Sequence, residues 1–164
     1  MTGGGRGIGK AIALALAEEG CDVAVNYVSR EADARRTADA IEALGRRALV
    51  VHGDVSKGAD VAAIVAAVEK QLGPVDVLVN NAGRAAFESI EQMTETSWND
   101  TIQLNLTSVF LMTQAVLPGM RARKWGRVIN LTSVAAQAGS VMAVHYSAAK
   151  AGVIAATKSY ARLL

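Results

Sequence analysis

Apolar positions along the chain switch between two periods, short runs of Val, Ile and Leu alternating with stretches where they recur every three or four residues. Lys10 to Glu19 is rich in Ala and Leu and predicts a helix, stopped by Gly20. Cys21 to Tyr27 (CDVAVNY) predicts a strand, and Glu31 to Leu44 a charged amphipathic helix stopped by Gly45. Ala48 to Asp54 predicts a second strand. Ala59 to Leu72 predicts a helix with Val61, Ile64, Val65 and Val68 on one face, ended by Gly73-Pro74. Val75 to Asn80 predicts a third strand, apolar enough to be covered on both faces. A long helix follows from Thr94 to about Arg123, interrupted late by Pro118-Gly119. Arg127 to Thr132 predicts a fourth strand, and a last helix runs from about Val144 to the end. Strands joined by helices of this length pair in parallel through right-handed crossovers, which predicts one doubly wound α/β domain over 1–164.

The long helix carries Leu104, Leu106, Val109, Phe110, Leu111, Met112, Val116 and Leu117 around most of its circumference. A surface helix needs one apolar stripe, so a second cover is expected. A subunit interface is the natural one; burial within its own chain is the alternative.

Composition narrows the function classes. Of the 164 residues, 51% are hydrophobic and 20% charged, which is ordinary globular composition. The net charge of +2 and the scattered basic residues give no nucleic-acid footprint. Arg35-Arg36 and Arg46-Arg47 read as a solvated helix face and a turn. Cys21 is the only cysteine and opens an apolar run, as a buried, inert thiol would. No internal disulfide can form, and a cytoplasmic setting is expected. No apolar run reaches about 18 residues and no secretory signal pattern opens the chain, so no membrane association is expected. No metal site is expected either.

The chain opens with Thr2-Gly3-Gly4-Gly5-Arg6-Gly7-Ile8-Gly9 and then enters a helix. Glycines permit close backbone approach, and a helix N-terminus presents free N–H groups to a phosphate. Gly4 to Lys10 follows the P-loop spacing up to its last position, but Ala11 stands there without a hydroxyl to hold Mg²⁺. The common dinucleotide pattern is also missed. What stands here is T-G-x-x-x-G-x-G, on Thr2, Gly3, Gly7 and Gly9, and a plain glycine-rich tail is the bland alternative.

Further segments follow in order. Asp54-Val55 ends the second strand, Asn80-Asn81-Ala82-Gly83 the third, and Asn105 lies in the long helix. Ser133 ends the fourth strand, thirteen residues before Tyr146, and Tyr146-x-x-x-Lys150 opens the last helix. Together with the glycine loop, these segments resemble the short-chain dehydrogenase/reductase family over the whole chain. The branch most similar is that of the 3-oxoacyl-[acyl-carrier-protein] reductases, on NNAG, YSAAKAG and VNY. The resemblance implies a Rossmann-type three-layer αβα sandwich. It also implies a chain truncated at both ends, lacking the first strand and the C-terminal strands. The first strand would lie between the first and third visible ones, so two unpaired edges are expected to face each other. Each buried unsatisfied backbone group costs about 1–3 kcal/mol against a total stability of about 5–15 kcal/mol. Catalysis is therefore expected of a longer parent chain, of which 1–164 is a piece.

The residues suit ketone reduction, which needs a hydride from a nicotinamide and a proton for the new alkoxide. A tyrosine's ordinary pKa of about 10 is too high for efficient exchange near neutrality. Tyr146 and Lys150 share a helix face, and an ammonium roughly 5–6 Å away favours a phenolate by about 3 kcal/mol. The resemblance implies that Lys150 also holds the nicotinamide ribose, that Ser133 bonds the substrate carbonyl, and that Asn105 holds a relay water. The bland alternatives are a helix distortion for Asn105, a turn or cap for Ser133 and a solvated pair for Tyr146 and Lys150. His145 is read as a substrate-loop or surface residue, since adjacent helix positions point about 100° apart; His52 is read as a satisfied structural histidine.

An NAD site places an acid about 20 residues past the glycine loop. Here the position is Asn26, with Arg6, Ser29 and Arg30 to supply positive charge and a hydroxyl, so NADP(H) is expected in preference to NAD(H). By resemblance Thr2, Gly3, Gly5, Arg6, Gly7, Ile8 and Gly9 hold the cofactor's phosphates, Asp54 and Val55 contact adenine, and Asn80, Asn81, Ala82 and Gly83 line its ribose side. The substrate is expected to be a small ketone or alcohol, with an acyl thioester as the leading form. A sugar or secondary-alcohol dehydrogenase, and a non-catalytic cofactor-binding or dimerisation module, are the other readings. The resemblance further implies a homodimer or homotetramer through the 94–123 and 144–164 helices.

Overall fold

The computed structural model describes residues 1–164, and its elements follow the predicted alternation. In chain order they are α1 (Gly7–Glu18), β1 (Val23–Tyr27), α2 (Glu31–Ala43), β2 (Ala48–His52), α3 (Gly58–Gln71) and β3 (Val77–Asn80). Then come α4 (Glu95–Ile102), a π-helical turn (Gln103–Thr107), α5 (Ser108–Arg123), β4 (Arg127–Asn130), α6 (Ala135–Ala138) and α7 (Val144–Leu163).

The strands pair in parallel, β1 with β2 (Val25 opposite Val50) and β3 with β4 (Val79 opposite Ile129). Side chains alternate across the sheet. On β2, Ala48 and Val50 pack toward Ala13, Ala17, Ala34 and Ile41 of α1 and α2, while Leu49 and Val51 pack toward Ile64, Val65, Met112 and Val116 of α3 and α5. The layers are therefore helix, sheet, helix, as a doubly wound fold requires.

The predicted facing edges are real but partly closed. The two strand pairs form separate sheets. Residues 1–4 lie between them: Thr2 N–H donates to Val79 O (3.0 Å), Asn26 N–H to Met1 O (3.1 Å) and Gly4 N–H to Asn26 O (3.2 Å). The glycine loop thus ties β1 to β3 at their C-terminal ends. Below it a cavity of about 410 Å³ separates the pairs, lined mainly by apolar residues such as Leu16, Val23, Leu78 and Val116.

One helix expectation is corrected. Pro118 does not interrupt the long helix, because α5 continues through it to Arg123. Val116 and Met120 on either side are both buried in the core, and this packing holds the helix where the proline has no N–H to donate. The break lies earlier, at the π-helical turn around Asn105. The apolar wrap of the long helix is partly covered within the chain: Leu106 of the π-helical turn packs directly on Gly152 of α7, whereas Phe110 of α5 stays exposed.

The basic pairs read as solvated are spent in ion pairs. Arg46 and Arg47 both meet Asp22, at 2.9 and 2.7 Å, and Arg35 and Arg36 meet Glu31 and Asp33. Hydrogen bonds from the Arg47 backbone and side chain hold the Asp22 carboxyl below the usual carboxylate range. No helix is long and apolar enough to cross a membrane, and no group of three or more His, Cys, Asp or Glu side chains is placed to hold a metal ion.

Candidate active site

The glycine loop is fastened from below. Thr2 is buried; its hydroxyl accepts the amides of Asn81 (3.0 Å) and Ala82 (2.9 Å) and donates to Val79 O (3.3 Å). Asn81 Nδ2 donates to both Thr2 O and Gly3 O at 3.0 Å. Thr2 and Asn81 are thus spent on fixing the loop to the end of β3. On its other flank the Thr37 hydroxyl of α2 donates to Gly5 O (3.1 Å). A Cβ at Gly5 would lie 3.0 Å from Ala34 N, so glycine lets the loop seat against α2. No side chain caps α1, whose first turn begins at Gly7. Its amides are therefore left for an anion, as dinucleotide binding requires.

Above the loop lies a cleft of about 500 Å³. Gly3, Gly5, Arg6, Gly7, Ile8, Gly9, Asn26, Ser29, Arg30, Asn81, Ala82, Gly83, Tyr146 and Lys150 line it together. The sequence reading missed several other wall residues, among them Asp33, Arg84, Leu131 and Thr132. Thr2, Asp54, Val55, Asn80, Asn105 and Ser133 are not part of the wall. Val55 is core, 1% exposed, and hydrogen bonds from the Ser56 hydroxyl and amide hold the Asp54 carboxyl below its usual range.

Asn26 lines the cleft, but its amide points into the sheet, donating to Gly53 O (2.9 Å) and Val51 O (3.3 Å). A carboxylate there would face two carbonyls while buried. Asn26→Asp is therefore expected to cost about 2 kcal/mol of stability, read as a lower urea midpoint at unchanged slope. An unchanged midpoint would contradict this orientation.

Tyr146 and Lys150 project from one face of α7, with Lys150 Nζ 5.8 Å from the Tyr146 ring centroid. Lys150 is 3% exposed and donates to Leu131 O at 2.8 Å. Burial lowers its pKa from the usual lysine value. The Tyr146 hydroxyl makes no hydrogen bond within the chain, which leaves it for a ligand. Ser133 Oγ accepts the Ala135 amide at 3.2 Å, a turn contact that still leaves its own proton to donate. Asn105 is fully buried in the π-helical turn; Nδ2 donates to Thr101 O (3.0 Å) and Arg84 O (3.1 Å), and Oδ1 accepts the Arg84 amide (3.1 Å). It therefore satisfies the helix distortion and pins the segment after Gly83. A Cβ at Gly83 would lie 2.7 Å from Asn105 Oδ1 and 3.4 Å from Lys150 Nζ, so glycine is required there.

Of the two roles read for His145, the surface one is corrected: the residue is fully buried. His52 is satisfied as read, with Nε2 3.0 Å from Val28 O.

A parallel α/β fold, an uncapped glycine-loop helix and a Tyr–Lys pair on one cleft define a dinucleotide-binding oxidoreductase. The comparisons agree. The family model for short chain dehydrogenase matches residues 1–164. The chain is 43% identical over 164 residues to a 3-oxoacyl-[acyl-carrier-protein] reductase FabG of Staphylococcus epidermidis, covering 100% of this chain and 67% of the relative. It is 42% identical over 164 residues to FabG of Staphylococcus aureus, with the same coverage of 100% and 67%. It is 45% identical over 161 residues to nodulation protein G of Azospirillum brasilense, covering 98% of this chain and 65% of the relative. The chain belongs to the short-chain dehydrogenase family and spans about two thirds of the length of these relatives.

Proposed function

We propose that this protein is an NADP(H)-dependent reductase that converts a ketone of the 3-oxoacyl thioester type to a secondary alcohol. The observation that carries the reading is the Tyr146–Lys150 pair opening on the same cleft as the uncapped glycine loop. The residues fit a nicotinamide dinucleotide: glycines at 3, 5 and 9 stand where a Cβ would collide, and Lys150 Nζ faces the cleft from its far end. When bound, the cofactor supplies the hydride. The first-turn amides of α1 and Gly3 to Gly9 bind its phosphates. The Tyr146 hydroxyl gives its proton to the forming alkoxide, and Lys150 stabilises the phenolate left behind. The Ser133 hydroxyl donates to the substrate oxygen as charge develops on it.

NADP(H) is favoured because the usual acid position is the uncharged, inward-turned Asn26, while Arg6, Ser29 and Arg30 line the same end of the cleft. Asp33 also lines it, with its charge met by Arg30 at 3.8 Å and by Arg36. The exposed Phe110 on α5 supports pairing of the 94–123 and 144–164 helices across a homodimer or homotetramer. The name of the relatives, 3-oxoacyl-[acyl-carrier-protein] reductase, supports the thioester substrate.

Oxidation of NADPH by acetoacetyl-CoA, followed at the nicotinamide absorbance, tests the reading. Turnover with kcat/KM higher for NADPH than for NADH is expected. Higher kcat/KM with NADH would overturn the cofactor assignment, and a protein that binds NADPH yet turns over with neither cofactor would overturn the reductase assignment.

A further inference from the structure

Glu88 and His145 form a second polar pair beside the cleft that the proposed chemistry does not use. His145 Nε2 lies 3.1 Å from Glu88 Oε1; the side chains are 0% and 20% exposed. Both atoms are buried, and neither makes a hydrogen bond of good geometry, the 3.1 Å contact between them included. The other ring nitrogen, Nδ1, lies 3.0 Å from the Tyr146 backbone N–H and accepts from it. A neutral imidazole that accepts at Nδ1 carries its proton on Nε2, the nitrogen that lies against the Glu88 carboxylate. The Glu88 amide also donates to Met142 O at 2.9 Å. Glu88 therefore holds the lead into α7 twice, once through its main chain and once through its carboxylate. It sits five residues past Gly83, on the segment that runs from the cofactor side of the cleft. The neighbouring Phe87, Val141 and Met142 are exposed apolar residues on the two strands of chain that Glu88 joins.

The geometry points to Glu88 and His145 as a positioning pair: together they clamp the 84–93 segment to the 139–145 loop and seat the backbone of Tyr146. The clamp aligns the Tyr146 hydroxyl. This role rests on the reductase reading for its kinetic consequence, but the clamp itself is visible without turnover. A carboxylate held against a buried imidazole nitrogen requires reach as well as charge, and the two are separable. Glu88→Gln keeps the reach and an acceptor oxygen. Glu88→Asp keeps the charge but is one methylene short.

The test uses the whole protein with two readouts. Nitrogen-15 NMR of His145 at neutral pH is expected to show a protonated Nε2 and an unprotonated Nδ1, and amide exchange at Tyr146 is expected to be slow. Glu88→Asp and Glu88→Ala should speed that exchange about tenfold, with Glu88→Gln close to wild type. With acetoacetyl-CoA, Glu88→Asp should lower kcat about tenfold and raise the ketone KM, while the dissociation constant for NADPH stays within about twofold. Should Glu88→Ala fail to fold, the contrast between Asp and Gln decides alone. A protonated Nδ1, or an Asp variant that behaves as wild type in exchange, overturns the proposal. So does an NADPH affinity that falls in step with kcat, the mark of a general loss of structure. A protein with no turnover at all sinks the reductase reading, and the exchange and tautomer results still judge the clamp.

Discussion

Gly9→Ala is expected to remove about 4 kcal/mol of stability and to abolish measurable NADPH binding. A Cβ on residue 9 would stand 2.2 Å from the Gly3 carbonyl oxygen, 3.1 Å from its carbon and 2.6 Å from Asn81 Nδ2. Two of these are backbone atoms, and the third, the Asn81 side-chain nitrogen, is held by its bonds to Thr2 O and Gly3 O. To make room, the loop must move off α1, and Gly3 cannot move alone. Its carbonyl accepts from Asn81, and Thr2 beside it carries the amides of Asn81 and Ala82. The same residues bridge the two strand pairs through Val79 and Asn26. One methyl group therefore loads a backbone clash, several hydrogen bonds and the tie between β1 and β3 onto one site. Gly7→Ala is the matched control. Gly7 has φ +54°, and a Cβ added there would meet nothing within 4 Å, so alanine costs only the left-handed conformation, about 1 kcal/mol. Urea unfolding of both variants, followed by calorimetric titration with NADPH, checks the contrast. Equal midpoints for the two would show that the loop does not close on Gly3 as described.

Much of this site is legible because its parts are local in sequence. Tyr146 and Lys150 lie one helical turn apart, and a helix must bring them to one face. The glycine loop abuts an apolar-periodic stretch, so it must end at a helix N-terminus. Parallel pairing follows from the crossover lengths. What escaped the sequence is of three physical kinds. Some contacts are made by backbone atoms, which carry no residue signature: Leu131 holds Lys150 by its carbonyl, and any side chain at 131 would leave that oxygen in place. Others turn on the direction of one side chain. Asn26 stands at the acid position and lines the cleft, yet its amide faces the next strand, and periodicity cannot tell which way a strand-end residue turns. The rest join distant segments. Glu88 and His145 are far apart in the chain, and neither local stretch hints at the other. The helix from Glu95 to Arg123 shows the limits of breaker rules as well. Its proline is absorbed where the core grips both sides, and its real irregularity lies at Asn105, whose amide takes up the Thr101 carbonyl of the distorted turn.

Tyr146→Phe is expected to lower kcat for ketone reduction by about 10²- to 10⁴-fold, the usual worth of a positioned general acid, with NADPH affinity unchanged. The hydroxyl bonds to no group in the chain, so its removal leaves no orphaned partner and should not move the urea midpoint. The ring stays 5.8 Å from Lys150 Nζ, and Lys150 keeps its bond to Leu131 O. The variant therefore separates proton donation from binding. A pH profile sharpens the separation. Burial lowers the Lys150 pKa below the ordinary lysine value, so its positive charge is lost at lower pH than a free lysine's as pH rises. Loss of that charge removes the stabilisation of the phenolate formed when Tyr146 gives up its proton. The wild-type rate of reduction should fall on the alkaline side, and the small residual rate of the Phe variant should lack that dependence. A Phe variant with wild-type kcat would show that another group, or water, donates the proton. A variant that instead loses NADPH would show that the tyrosine hydroxyl is a cofactor ligand first, and that Lys150 alone does not hold that end of the cleft.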